Sequence, residues 1–234
     1  MNEFQLTGLN EEHLTYCHKL KITLHKEAEL PLIHLKEEAQ AAGFDLRVLS
    51  SFRSFESQLA IWNAKARGER KLLSHQGLEL DYQELSKEEV LWRILRWSAL
   101  PGFSRHHWGS ELDVYDKNAL PDQNYSVELT PNEVATDGIF GPFHDWLSNK
   151  IETDQAFGFF RPYQNDLGGV APEMWHISYA PVSISAREQL DFKFFQEFLG
   201  SVNAQEIELL ELVKANREQI FQQFILNITP PQSL

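Results

Sequence analysis

The chain has 234 residues, enough to bury a sizeable core, and its 42% hydrophobic and 24% charged residues exclude a disordered polymer. Acidic residues (34) outnumber basic ones (21), and the net charge of −13 argues against a nucleic-acid partner and against anchoring on an anionic membrane. Cys17 is the single cysteine, which excludes an internal disulfide, and no run of 18 apolar residues offers a membrane span.

The opening MNEFQLTGLNEEH has neither a basic n-region nor an apolar h-region. A cytoplasmic product is expected from the sequence as given, and a periplasmic or extracellular one if the N-terminus is truncated. Residues 10–29 are expected to be mostly helical. PLIHLKEEAQAAG predicts a helix, with Pro31 in its first turn and Gly43 as its C-terminal cap. FDLRVLS predicts a strand, because Leu46 and Val48 alternate with Arg47. In SFRSFESQLAIWNAKARG, Phe55, Leu59, Trp62 and Ala66 recur at helical spacing and Gly68 can end the helix. Residues 70–85 read as an irregular connection. SKEEVLWRILRWSAL opens on a capping box, Ser86 with Glu89 three residues later.

ELDVYD predicts a strand, and residues 117–139 a loop long enough to form a wall or lid. GPFHDWLSNKIE predicts a helix, GFFRPY a short strand and MWHISYA another strand. Residues 186–226 predict two amphipathic helices broken near Gly200, with Leu209, Leu212, Val213, Ile220 and Phe224 as a packing stripe. The expected class is α+β: one domain with N-terminal helices over residues 1–184 and a helical C-terminal extension over 185–234 packed on the same domain.

Two segments concentrate histidine and carboxylate: SRHHWGSELD, residues 104–113, and EMWH, residues 173–176. A catalytic zinc takes three protein ligands and keeps a fourth position for water, and His106, Asp113 and His176 supply such a set with Glu173 left over as a base. Strand alternation puts Asp113 and Glu111 on one face of ELDVYD and Leu112 and Val114 on the other; His176 and Ser178 likewise oppose Trp175 and Ile177. Glu173 and His176 are an odd number of residues apart, so a bend or bulge is expected near Pro172. Spacing alone leaves open the other reading, polar residues beside turns, because no HExxH helix motif is present.

SRHHWGSELD resembles the S-x-H-x-x-G-x-A-x-D motif of the VanY-type D-alanyl-D-alanine carboxypeptidases, EMWH resembles their E-x-W-H motif, and SSFRS their S-G-Y-R-S segment, in the same order along the sequence. The resemblance spans roughly residues 30–180. It implies a small antiparallel sheet carrying a zinc site, with His106, Asp113 and His176 as ligands. It also implies Glu173 as catalytic base, Arg53 as the arginine that polarises the scissile carbonyl, and Ser104 as a substrate contact. The implied reaction is hydrolysis before a C-terminal D-amino acid, of D-Ala-D-Ala or L,D type, in a peptidoglycan stem peptide or a small peptide ending in a D-amino acid. Two alternatives stand beside it: a non-catalytic zinc-bearing binding module and a peptidoglycan endopeptidase. Glu111 stands where the family has alanine, and it can approach the metal or bend to solvent. His107, at a variable position, reads as supporting the site or exposed, and His144 as a surface or helix-packing residue. Arg161 is a candidate for the substrate carboxylate, with a plain surface arginine as the other reading.

Overall fold

Asn2 caps a first short turn, Glu3–Leu6 (α1), by accepting a hydrogen bond from the Gln5 backbone N–H. The computed structural model describes residues 1–232. Residues 10–29 then depart from the helix expected of them. Leu14–Cys17 (β1) and Ile22–His25 (β2) pair as an antiparallel hairpin with Leu14 opposite His25. Thr15, Tyr16, Ile22 and Thr23 are β-branched or aromatic residues suited to a pleated surface. Lys21 takes φ 59° to turn the backbone, and its N–H donates to the Cys17 carbonyl at 2.7 Å.

The helices and strands after the hairpin follow their sequence signals closely. Glu29–Ala41 (α2) holds Pro31 in its first turn, and Gly43 follows its end at φ 95°. Leu46–Ser50 (β3) precedes Phe55–Ala66 (α3), which Ser54 caps through the Ser57 N–H. Residues 70–85 are less irregular than expected, since Leu72–Leu73 (β4) pairs with Glu79–Leu80 (β5). Lys87–Trp97 (α4) carries the Ser86/Glu89 capping box. Glu111–Asp116 (β6) is followed by a long segment whose one α-helical turn is Pro131–Val134 (α5), and then by Gly141–Glu152 (α6). Phe159–Phe160 (β7) and His176–Tyr179 (β8) complete the main sheet.

The C-terminal part breaks more often than its apolar stripe suggests. It runs through Ala180–Glu188 (α7), Phe192–Gly200 (α8), Leu210–Ala215 (α9) and Arg217–Ile220 (α10) into a π-helical turn at Phe221–Ile225. Leu209, at φ 63°, starts a new helix rather than continuing an old one.

The main sheet has the order β3-β6-β8-β7, every pair antiparallel. One face carries Leu112, Val114 and Ile177, which are fully buried against Leu32, Leu35, Phe143 and Leu147 of α2 and α6. A second apolar cluster joins Trp62, Leu91 and Ile94 to Phe195, Val213 and Ile220 of the C-terminal helices. Burying each such residue contributes about 1.5–3 kcal/mol relative to exposure, so the packing reading of the C-terminal stripe holds. Among the described residues no helix is long and apolar enough to cross a membrane.

Candidate active site

With the apolar side of β6 and β8 committed to the core, alternation leaves Glu111, Asp113, His176 and Ser178 on the other face. The register makes the contacts specific: Asp113 lies opposite His176 on β8, and Glu111 opposite Ser178. On its other side Asp113 pairs with Ser50, where a register shift between Val48 and Ser50 bends β3. The expected bend near Pro172 takes another form. Glu173 precedes the strand in a tight turn, with the His176 N–H donating to the Glu173 carbonyl at 3.0 Å, and the two side chains end up side by side. Glu173 Oε2 is 3.7 Å from His176 Nδ1.

His106 arrives from a 3₁₀ turn, Arg105–Trp108, that ends at Gly109. Gly109 sits at φ 69°, and a Cβ there would lie 2.5 Å from Leu14 Cδ2 and 2.7 Å from the His25 nitrogen, so only glycine fits the motif position. The N-terminal hairpin thus presses directly on the turn. His107 is fully buried, which corrects the reading that allowed it to be exposed. It accepts from the Gly102 N–H at 3.1 Å and donates Nδ1–H to the Arg53 carbonyl at 2.7 Å, tying the two motif segments together.

The donor set converges. Ligand atoms of His106, Asp113 and His176 lie within 4.8 Å of one another. His106 Nδ1–H donates to the Ser51 carbonyl at 2.8 Å, so Nε2 keeps its lone pair, and that lone pair faces Asp113 Oδ2 at 3.4 Å. Burial lowers the His106 pKa to about 4, so the ring is neutral at pH 7. Burial would raise the Asp113 carboxyl, but His106 and His176 beside it bring it down to about 2. His176 stands between acids: Nε2 is 2.9 Å from Glu111 Oε2 and Nδ1 is 3.1 Å from Asp113 Oδ1. Burial disfavours its charge, yet the hydrogen bonds to Asp113 and Glu111 prevail and raise its pKa to about 10. His106 Nε2 and the Asp113 carboxylate face one point as acceptors, and that point favours a positive charge. An imidazolium proton supplies part of it, and a divalent cation fits the same place.

Glu111 neither bends to solvent nor belongs to the converging set. It is fully buried and accepts from Arg105 Nη2 at 3.1 Å and from Ser178 Oγ at 2.7 Å. Its pKa is about 2: burial pushes it up, and Arg105 first, then His176, bring it down. Arg105, Glu111 and Ser178 form a buried polar relay behind His176. Sequence reading had no signal for Arg105, which occupies a variable position of the motif.

A cleft of about 470 Å³ opens over the centre, lined by Arg53, Ser104, His106, Asp113, Glu173 and His176. Arg53 donates to Gln58 Oε1 at 2.7 Å and to Ser50 Oγ at 3.0 Å, which fixes its guanidinium at the cleft wall. Ser104 is buried to 1% exposure at that wall. The pKa of Glu173 is raised to about 7, chiefly by burial. Leu129 of the 117–139 segment also lines the cleft and packs with Trp175, so this segment forms the wall expected of it. Arg161 is corrected on both readings. It is buried, donating to the Met174 carbonyl at 2.7 Å and to Ser148 Oγ at 2.6 Å, so it braces the backbone beside Glu173 instead of facing substrate. His144 packs behind it in the helix, the second of its two readings, and its burial rules out the surface one.

A cleft over a converging His106/Asp113/His176 set, with the Glu173 carboxyl beside it on an antiparallel sheet, can hold a divalent cation next to a proton acceptor. The model of the VanY family, D-alanyl-D-alanine carboxypeptidase, matches residues 21–182. The chain belongs to that family. An uncharacterized protein of Haemophilus influenzae (strain ATCC 51907 / DSM 11121 / KW20 / Rd) is 41% identical over 98 residues, covering 41% of this chain and 67% of the relative. The fold is shared with VanYB in complex with D-alanine-D-alanine, at TM-score 0.51, 19% identity and coverage of 86% of this chain and 87% of the other. The LdcB LD-carboxypeptidase gives TM-score 0.51 at 17% identity, covering 81% of this chain and 80% of the other.

Proposed function

We propose that the protein is a zinc-dependent carboxypeptidase that hydrolyses the peptide bond before a C-terminal D-amino acid in peptidoglycan stem peptides, with residues 185–234 an extension packed on the peptidase domain. The observation that carries it is the convergence of His106 Nε2, His176 Nδ1 and the Asp113 carboxylate beneath Glu173. Those three residues would hold the ion. An ion bound there would supply a Lewis acid and lower the pKa of a water toward neutrality. Glu173 takes the proton of the attacking water on its carboxylate and returns it to the leaving amine nitrogen. Arg53 faces the oxygen on which negative charge develops and stabilises it. Ser104 orients the substrate at the cleft wall.

The test pairs metal analysis with product release. Purified protein should carry one equivalent of zinc and release the terminal D-amino acid from a synthetic stem peptide, and His106→Ala should lose both. Zinc bound without hydrolysis would make the protein a binding module. Cleavage within a stem or cross-bridge would make it an endopeptidase. One neighbour of this fold is complexed with D-alanine-D-alanine and another is an LD-carboxypeptidase, and peptides of the D,D and L,D types separate the two specificities.

The charge balance of the centre also predicts a pH response of chelator-treated protein. The folded pKa of His176 lies above its ordinary value of 6.5, at about 10, so its stabilising contribution is complete below pH 6.5 and is lost as pH rises. Glu173, raised from 4.5 to about 7, acts with the same sign up to neutrality. Thermal midpoints of the chelator-treated protein should therefore fall between about pH 7.5 and 8.5, above the range in which the buried neutral His13, His25, His106, His107 and His144 act with the opposite sign. Saturating zinc should remove that slope, because the ion replaces the proton.

A further inference from the structure

Part of the cleft lies beyond the converging donors, and a cation there lacks a counter-ion. Lys65 sits in the last turn of α3, on the same face as Gln58 and Ile61. Its Nζ donates to Ser98 Oγ at 2.7 Å, and both residues line the cleft. No carboxylate pairs with it among the described residues. The other lysines without an acidic partner there, Lys21, Lys26, Lys87 and Lys117, are all exposed, whereas Lys65 is half-buried. A partly buried ammonium held by a single hydroxyl is costly, and the protein has acidic residues to spare for pairing it. Burial lowers its pKa to about 8, while Glu173 pulls the other way and Arg70 and Arg53 add to the lowering, so it shares its surroundings with the reacting centre and remains mostly charged at pH 7. Side chains on a helix lean toward its N-terminus, which carries Lys65 back along the cleft toward Arg53.

We propose that Lys65 and Ser98 form a subsite for a carboxylate of the peptide substrate, Lys65 supplying the charge and Ser98 a hydrogen bond. The inference rests on the carboxypeptidase reading for the peptide but not for the subsite itself. Two carboxylates of such a peptide fit the chemistry, the one that ends its backbone and one on an acidic side group, and both are anions within one or two residues of the scissile bond. A free C-terminus held there makes the enzyme an exopeptidase.

The experiment measures binding by calorimetry to zinc-loaded Glu173→Gln protein, in which turnover of the ligand is slowed about 10²–10⁴-fold. Three peptides are compared: a D-amino-acid-terminated peptide with an acidic side group, the same peptide with its C-terminus amidated, and the same with its side group amidated. Amidating the recognised carboxylate should weaken binding about 10–100-fold, the range of a hydrogen bond to a charged partner. Lys65→Met should weaken the unmodified peptide by the same factor and leave the matching amide unchanged, and Lys65→Arg should recover part of the loss. Ser98→Ala should give a smaller shift in the same direction, so the subsite is tested even if Lys65→Met folds poorly. Sensitivity to the C-terminal amide identifies the backbone carboxylate and sensitivity to the side-group amide the other. Either supports the subsite. If Lys65→Met weakens all three peptides equally, or none of them, the subsite is wrong. Lys65-dependent binding by a protein that hydrolyses nothing with Glu173 intact overturns the carboxypeptidase reading and leaves the subsite standing.

Discussion

Glu173→Gln should reduce hydrolysis of a stem peptide by about 10²–10⁴-fold, the range of general acid–base help, while the protein still binds one equivalent of zinc. Glutamine keeps the shape of the glutamate and can still hydrogen-bond, but it cannot accept a proton. Glu173 stands beside the converging set of His106, Asp113 and His176, so metal affinity should be nearly unaffected. The loss should fall on kcat, since the substrate is held by other parts of the cleft. The carboxyl, at about 7 owing to burial, is poised for exchange with water near neutral pH. In the parent protein kcat/KM should rise as pH increases through the acid limb, because the base acts only when deprotonated, and the bound cation should move that limb below 7. A Gln variant with the parental rate would show that proton transfer runs through another group.

The parts of this molecule that were legible in its sequence are those with local causes. Ser86 and Glu89 close a capping box, and Phe55, Leu59, Trp62 and Ala66 form one buried stripe, because caps and stripes depend only on neighbours a few residues away. The face of Asp113 and His176 followed from alternation for the same reason. The hairpin within residues 10–29 was not legible, because its formation depends on Leu14 meeting His25 across the turn and not on neighbours a few residues away. Glu111 was placed on the correct face, but its role was not readable. That role comes from Arg105 in a 3₁₀ turn and Ser178 on another strand, which meet only in the folded protein. Lys65 was likewise one residue of an amphipathic helix until residues 70–98 brought Ser98 and Trp97 to the same cleft.

Glu111→Ala should be the most damaging change at a position outside the converging donors, and through two separable effects. Arg105 is 4% exposed, and its Nη2 would keep only the Ser178 hydroxyl. Removing one partner of a buried pair costs about 3–5 kcal/mol, a large share of a typical stability of about 5–15 kcal/mol. Urea unfolding in chelator should show that loss as a lower midpoint at unchanged slope. The second effect falls on His176. Glu111 accepts Nε2–H, which leaves Nδ1, whose proton Asp113 accepts, as the nitrogen that can give up its proton to a cation. Without that acceptor the ring is free to turn or to change tautomer, and zinc affinity should fall about 10–100-fold, as when outer partners of metal-binding histidines are removed. The double variant Arg105→Met, Glu111→Leu separates the two. It removes the stranded cation and refills the space, so stability should largely return, while zinc affinity in a chelator competition stays low because His176 still lacks its acceptor. Full zinc affinity in either variant would mean that Asp113 and the packing of Tyr163 against the ring, at a centroid distance of 5.1 Å, suffice to orient His176.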